Sequence, residues 1–145
     1  MNHTLETILF FTFLILSLIH FYWALGGKKG IAIVVPVDQN NKKMLKPTPL
    51  AGVVVACGLL FLAFMQVILT GRIELNSLIG MHLDGKYYIM IQCFFAIIFI
   101  LRSIGDFNSV GFFKKITHSK FARLDTMYFS PLSLMIGILM FLVVI

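Results

Sequence analysis

Long apolar runs alternate with short polar connections along the chain, and this alternation predicts its architecture. Four runs are long enough to cross a membrane, at about residues 5–25, 50–69, 87–104 and 126–145. At a rise of about 1.5 Å per residue, the first covers about 31 Å and the third about 27 Å, close to a hydrocarbon core of about 30 Å. The pattern predicts an all-α membrane protein, a four-helix transmembrane bundle in a single integral membrane domain over residues 1–145.

The fourth run contains a conflict about where its helix begins. Ser130 followed by Pro131 is typical of a helix start, but a helix starting at Pro131 covers only about 22 Å. A start at Asp125 or Thr126 gives about 30 Å and places Pro131 inside the helix, where it removes a backbone hydrogen bond and bends the axis. We favour the longer, kinked helix, with the freed carbonyl near Met127 satisfied by Thr126, Ser130 or a neighbouring helix.

Composition and charge also indicate a membrane protein and narrow the classes of partner. Of the 145 residues, 59% are hydrophobic and 12% are charged, whereas a soluble domain carries roughly 25% charged residues. The mean hydropathy is +0.96. The net charge of +6 comes from basic residues beside the apolar runs, without a recognisable nucleic-acid-binding module. We therefore expect membrane lipids, and no nucleic acid, as partners.

The positions of lysine and arginine predict the orientation in the membrane. Ten of the twelve lie in the connections after the first and third runs, while the middle connection holds only Arg72 and Lys86. Because basic residues are retained on the cytoplasmic side, the N-terminus and the C-terminus are both expected to face outward.

Each of the two basic connections allows two local structures. Between Val110 and Tyr128, apolar residues recur at spacings of three or five with basic residues between them. This pattern fits either an interfacial helix before the fourth span, with its lysines reaching anionic lipids, or a charged loop. The connection at residues 30–49 combines a β-branched run with an Asn-Asn pair and three prolines, which predicts a short extended hairpin or a capping loop.

Polar and sulfur-containing residues inside the runs have mainly structural interpretations. Gln66 and Gln92 lie at a similar depth in the second and third runs, so their amides are expected to bond between neighbouring helices, with a substrate contact as the alternative. Cys57 and Cys93 lie at depths about 10 Å apart, beyond the reach of a disulfide. The four histidines are scattered without a metal-binding spacing, so no metal site or cofactor is expected.

Polar groups are concentrated at the expected cytoplasmic ends of the four runs. If the bundle brings these ends together, His20 or Arg102 can pair with Asp106 or Asp125 in a polar pocket beneath the headgroups. Packing offers the alternative, in which the aromatic residues form an interfacial belt, Asp125 caps a helix and His20 bonds a neighbouring helix. The candidate pocket residues are His20, Trp23, Arg102, Asp106, Asp125 and Tyr128.

Two functional classes fit such a pocket. The first is a non-catalytic binding or structural module that holds a lipid-like ligand or a membrane protein partner. The second is a small membrane enzyme acting on a lipid or isoprenoid, with His20 as proton donor or acceptor, Asp106 or Asp125 orienting it, and Arg102 binding an anionic group. A small transporter is disfavoured, because such proteins ordinarily carry an ionisable residue near the membrane centre.

Three blocks of the sequence, HFYWALGG, RSIGDFNSVGFFKK and FARLDTMYFSPLSL, resemble the bacterial domain-of-unknown-function family 3995. The resemblance implies a small multi-pass protein of the bacterial cytoplasmic membrane and no assigned activity. The family pattern has tyrosine where this chain has Phe129 and cysteine where it has Ser133, which argues against a catalytic role for either position. Oligomeric state is open: Gly52 and Ala56 form one small-xxx-small pair that serves either self-association or packing within one bundle.

Overall fold

The computed structural model describes residues 3–36, 48–69 and 85–145, and every regular element in these ranges is a helix. The helices are α1 (His3–Ala24), the single turn α2 (Ile31–Val34), α3 (Pro49–Leu69), α4 (Gly85–Ile104), α5 (Lys120–Leu124) and α6 (Ser130–Val144). A π-helical turn, Asp125–Phe129, joins α5 to α6, so that these three elements run as one helix of 25 residues.

Four of these helical segments are long and apolar enough to cross a membrane: α1, α3, α4 and the continuous α5–α6 helix. The predicted all-α fold with four membrane-spanning helices is thereby confirmed. The outward orientation of both termini stays a prediction, because helix length and hydropathy do not distinguish the two sides of a membrane.

The helices pack as two pairs, α1 against α3 and α4 against α6, and a contact between α1 and α6 joins the pairs. Helical residues facing inward form a common apolar core: Leu9, Phe13, Leu59, Leu62, Ala63, Ala96, Ile136, Met140 and Val143. Large apolar side chains also cover the outside, including Phe11 at 55% and Phe94 at 60% exposed. Such an apolar exterior is expected of a protein whose solvent is lipid.

Small residues bring α1 and α3 close together. The Ser17 hydroxyl donates to the Ala56 carbonyl at 2.8 Å, and a Cβ atom added to Gly52 would lie 3.1 Å from the Ala24 Cβ. Gly52 and Ala56 therefore serve packing within the bundle, which is one of the two roles left open by the sequence.

A pair of amides joins α3 to α4. The Gln66 side chain donates to Gln92 at 3.1 Å and accepts from it at 3.2 Å, and both side chains are buried. Each amide thus satisfies the other within the apolar interior, which confirms the interhelical bond predicted from their matching depth. Cys57 and Cys93 are free thiols.

The fourth helix begins earlier than its apolar pattern predicts. Its N-cap is Ser119, whose hydroxyl accepts the Ala122 N–H at 3.0 Å, so the helix includes the polar turn before Asp125. Pro131 lies inside the long helix, as expected, and the π-helical turn directly precedes it. Interruption of the regular hydrogen-bond ladder at a proline is a recognised cause of such local irregularity.

The connection between α4 and α5 is a loop over residues 105–119. Of the two structures allowed for residues 110–128, a charged loop therefore describes the first part, and helix begins only at Lys120. In the first connection, Ile31–Val34 is one helical turn rather than the extended strand of a hairpin. Residues 37–47, where the remainder of that hairpin was expected, lie outside the described residues.

Gly137 provides a test of the α4–α6 contact. A Cβ atom at Gly137 would lie 2.7 Å from Ile100 Cγ1 and 2.9 Å from the Ala96 carbonyl oxygen. We expect Gly137→Ala to lower the free energy of unfolding by about 1–3 kcal/mol, because the methyl group overpacks this contact. The measurement is unfolding in a fixed detergent, followed by circular dichroism.

Gly58→Ala is the matched control, since nothing lies within 4 Å of a Cβ atom at Gly58. It adds the same methyl group to a membrane helix and should leave stability unchanged or raise it by about 0.5 kcal/mol. Equal loss in both variants would show that the contact at Gly137 does not set the effect.

Candidate functional site

The Asp125 carboxylate is the centre of the charged groups at the end of the bundle where α4 ends and the fourth membrane helix begins. Its side chain is fully buried and accepts hydrogen bonds from three directions. Oδ1 accepts from Arg102 Nη2 at 2.8 Å; Oδ2 accepts from the Gly111 N–H at 2.8 Å and from Lys114 Nζ at 3.0 Å. We call Asp125, Arg102, Lys114 and the Gly111 backbone the Asp125 cluster.

The two cations of the cluster differ in their surroundings. The Lys114 side chain is only 2% exposed, and its ammonium group also donates to the Gly111 carbonyl and the Thr126 hydroxyl, each at 2.7 Å. All three of its protons thus have an acceptor. The Arg102 side chain is 35% exposed, and its buried Nη1 has no hydrogen-bond partner among the described residues.

Two glycines allow the loop to return to the helix ends. Gly105 and Gly111 both have a backbone φ of 91°, in the left-handed region that residues other than glycine rarely adopt. A Cβ atom at Gly105 would lie 1.8 Å from the Val110 carbonyl oxygen, and one at Gly111 would lie 2.2 Å from the Ile104 carbonyl oxygen. This close backbone crossing places the Gly111 N–H against Asp125.

Asp106 shapes the same loop without joining the cluster. Its Oδ1 accepts the backbone N–H groups of Asn108, Ser109 and Val110 at 2.9, 2.7 and 2.8 Å, and its Oδ2 accepts the Ser109 hydroxyl at 2.8 Å. Burial raises the pKa of the Asp106 carboxyl, but these four donors outweigh it and lower the pKa from 3.8 to about 2.

His20 and Trp23 bond to their own end of α1. His20 Nδ1 lies 2.8 Å from the Leu16 carbonyl oxygen, which can only accept, so this nitrogen is the donor. The two rings meet edge to face with centroids 5.4 Å apart, and Trp23 Nε1 donates to the Lys29 carbonyl at 2.8 Å. Within the described residues, no acidic side chain pairs with His20.

The six predicted pocket residues do not meet in one group: Arg102 pairs with Asp125, as one of the predicted alternatives, while His20 and Trp23 contact each other on α1. Asp106 is close to Arg102 in sequence, but its side chain bonds only within its own loop. Tyr128 does not join the cluster and is 57% exposed. The residue that the sequence did not single out is Lys114, which was expected to reach outward to lipids and is instead buried against Asp125.

A second buried carboxylate, Glu6, lies near the start of α1, at the opposite end of the bundle from Asp125. Its side chain is fully buried, and Oε2 lies 3.3 Å from His3 Nδ1. Neither carboxylate oxygen accepts a hydrogen bond from the described residues. Glu6 lies at the start of the first apolar run, and the hydropathy pattern gives no sign that it is buried.

Comparison with known proteins adds one match. A model of the family described as "Protein of unknown function (DUF3995)" matches residues 13–140, a range that includes the whole Asp125 cluster and excludes Glu6. No curated protein and no solved structure matches the chain.

The Asp125 cluster predicts unequal effects of removing its charges. Asp125→Asn leaves Arg102 and the buried Lys114 without a counter-charge, and we expect it to lower the free energy of unfolding by about 3 kcal/mol. Lys114→Met should cost less, because Asp125 keeps Arg102 and the Gly111 N–H. Unfolding in a fixed detergent measures both.

Lys115→Met is the matched control for Lys114→Met, because Lys115 is the exposed neighbour of the buried lysine. Its expected effect is within about 0.5 kcal/mol. If Lys114→Met and Lys115→Met were equally mild, the buried ion pair would not stabilise the fold.

The hydrogen bonds to Asp106 predict an acid-sensitive loop. Because the pKa of Asp106 is lower in the folded loop, at about 2, than its ordinary value of 3.8, protonation favours opening. The stabilisation is complete above about pH 4 and is lost as the pH falls through about 2. Hydrogen exchange of the Ser109 and Val110 amides, followed by NMR in micelles, measures this transition.

Asp106→Asn should remove that pH dependence while leaving the other carboxyl groups in place. A transition of the wild-type loop centred near pH 4, or one that persists in Asp106→Asn, would contradict the assignment of the titration to Asp106.

Proposed function

Because the chain belongs to the family described as "Protein of unknown function (DUF3995)", which names no activity, we propose a function from the geometry alone. The protein is a multi-pass membrane protein that acts as a non-catalytic binding module. Its ligand is an anionic lipid headgroup, held by exposed basic residues beside the Asp125 cluster.

The observation that carries this proposal is an excess of exposed positive charge. Lys115, Lys120 and Arg123 are exposed around the start of the fourth helix, and we call them the basic rim. The only acids in residues 105–125 are Asp106 and Asp125, and their hydrogen bonds go to the loop backbone, Ser109, Arg102 and Lys114. Among the described residues, the basic rim has no acidic partner, which suits an anionic surface.

A shallow cavity lies next to this rim. It has a volume of about 270 Å³ and is lined by Thr117, Ala122, Arg123, Thr126 and Met127. Arg123 supplies charge at its edge, and Thr126 connects its wall to Lys114 through the 2.7 Å hydrogen bond. A guanidinium group at the edge of a small cavity suits a phosphate-bearing headgroup, because guanidinium groups form charge-assisted hydrogen bonds to phosphate.

The Asp125 cluster gives this surface a fixed shape. The Gly111 N–H and Lys114 hold the loop to Asp125, while Arg102 holds Asp125 to the end of α4. A surface that is ordered before binding loses less conformational entropy when a ligand arrives. With the predicted orientation, the rim meets the cytoplasmic leaflet of a bacterial cytoplasmic membrane, where anionic lipids attract it.

The contacts of the candidate catalytic residues favour binding over chemistry. His20 donates to the Leu16 carbonyl and has no carboxylate among the described residues to orient it. The Asp125 carboxylate is fully buried and accepts from three donors. Among the described residues, His20 therefore forms no proton-transfer pair with Asp106 or Asp125, the pair that an enzyme acting on a lipid or isoprenoid through these residues would use.

Titration of the purified full chain with short-chain lipids, followed by native mass spectrometry, tests the proposal. Wild-type protein is expected to bind phosphatidylglycerol more tightly than phosphatidylcholine. Lys120→Gln with Arg123→Gln should weaken phosphatidylglycerol binding by about 30-fold, since each basic residue near an anionic surface contributes about 1 kcal/mol.

Lys28→Gln with Lys29→Gln is the matched control, because it removes two exposed charges at the end of α1. This variant should bind phosphatidylglycerol nearly as wild type does. The proposal fails if both double variants lose affinity equally, which would indicate attraction by net charge alone, or if the two lipids bind alike.

A further inference from the structure

Two phenylalanine side chains of the loop between α4 and α5 are exposed together. Phe107 is 59% exposed and Phe113 is 64% exposed, and their ring centroids lie 6.3 Å apart. We call them the aromatic pair. Both rings belong to a loop and not to a membrane-spanning helix, so the lipid-facing surface of the spans does not account for their exposure.

The backbone at Phe107 is held in an unfavourable conformation. Its φ is 58°, in the left-handed region where residues other than glycine, asparagine and aspartate are uncommon. The hydrogen bonds that Asp106 accepts from Asn108, Ser109 and Val110 surround this residue and fix the turn. Backbone strain of this kind persists when the surroundings impose it, and it concentrates at functional positions.

The location of the loop identifies what the aromatic pair meets. The loop begins after Ile104 and ends before Lys120, where two membrane-spanning helices end and begin. It is tied down between them, because the Phe112 N–H donates to the Ser103 carbonyl at 2.8 Å and the Gly111 N–H donates to Asp125. The loop is therefore held at the ends of these two helices, and the end of a membrane-spanning helix is where it is expected to leave the hydrocarbon.

The charge around the pair also suits a lipid surface. Lys115 follows Phe113 by two residues and is exposed, so the loop exposes an apolar ring and a cation close together in sequence. Aromatic residues insert at the boundary between headgroups and acyl chains, while neighbouring lysines meet anionic headgroups.

We propose that Phe107 and Phe113 form a membrane anchor that inserts into the interfacial region of the leaflet beside α4 and α6, in a conformation imposed by the Asp106 turn. Insertion of the rings does not require headgroup binding at Lys120 and Arg123, because it depends on the apolar rings and the loop backbone. Its role is to hold the loop flat against the lipid.

A tryptophan at the anchor reports its depth. The full chain carrying Phe113→Trp is reconstituted in vesicles of phosphatidylglycerol and phosphatidylcholine, and the fluorescence of the unsubstituted protein is subtracted to remove Trp23. We expect strong quenching when the acyl chains are brominated near the headgroup, weaker quenching when they are brominated near the chain ends, and little quenching by iodide in water.

Two results would overturn the anchor. Quenching by iodide without quenching by brominated lipid places the ring in water, and the absence of both places it in a protein contact. Adding Asp106→Ala to Phe113→Trp should reduce quenching by the shallow bromine and admit iodide, because the imposed turn is lost. Unchanged quenching there would remove Asp106 from the proposal.

The basic-rim variant separates this proposal from the proposed function. Adding Lys120→Gln and Arg123→Gln to Phe113→Trp should leave the quenching by shallow bromine in place, even where phosphatidylglycerol binding is lost. If that quenching disappears with the rim charges, the aromatic pair does not anchor the loop by itself, and the independent anchor is rejected.

Discussion

A carboxylate buried at the end of a membrane helix has to be neutralised where it lies, because transferring an isolated ion out of water costs many kcal/mol. Asp125 meets this requirement with a guanidinium, an ammonium and a backbone N–H group. These donors come from the end of α4 and from two points of the loop that follows it. Neutralising one side chain therefore fixes the loop and the fourth helix relative to α4.

The π-helical turn is what points Asp125 at those donors. Pro131 has no N–H, and the Ser130 N–H donates to the Asp125 carbonyl five residues earlier. One extra residue in a turn rotates everything before it by about 100° relative to a regular α-helix. Buried Asp125 and buried Ser130 thus face the same side, and the charged turn continues the face that α6 packs on α4. A regular helix through Pro131 would turn Asp125 away from Arg102.

Hydropathy predicted the elements of this fold because membrane burial acts on whole segments, and the depth of a residue follows from its position in its segment. That is why the four spans and the Gln66–Gln92 bond could be predicted. The pairing of Arg102 with Asp125 was one of the predicted alternatives for the same reason, because both residues lie at the same expected end of the bundle. Lys114 was not, because its burial depends on a loop that turns back at Gly105 and Gly111, and a loop has no periodicity from which to infer a facing side.

Asp106 and Asp125 have different physical roles at the loop between α4 and α5 and the start of the fourth membrane helix. Asp125 is buried and holds cations, so its loss acts on the packing of helices. Asp106 is exposed and holds backbone N–H groups, so its loss acts on the shape of one turn. The basic rim and the aromatic pair lie on the loop and helix start that these two carboxylates fix. Surface charge and exposed rings can therefore be changed without touching the groups that stabilise the bundle, which is the separation expected when a stable membrane scaffold carries a binding surface.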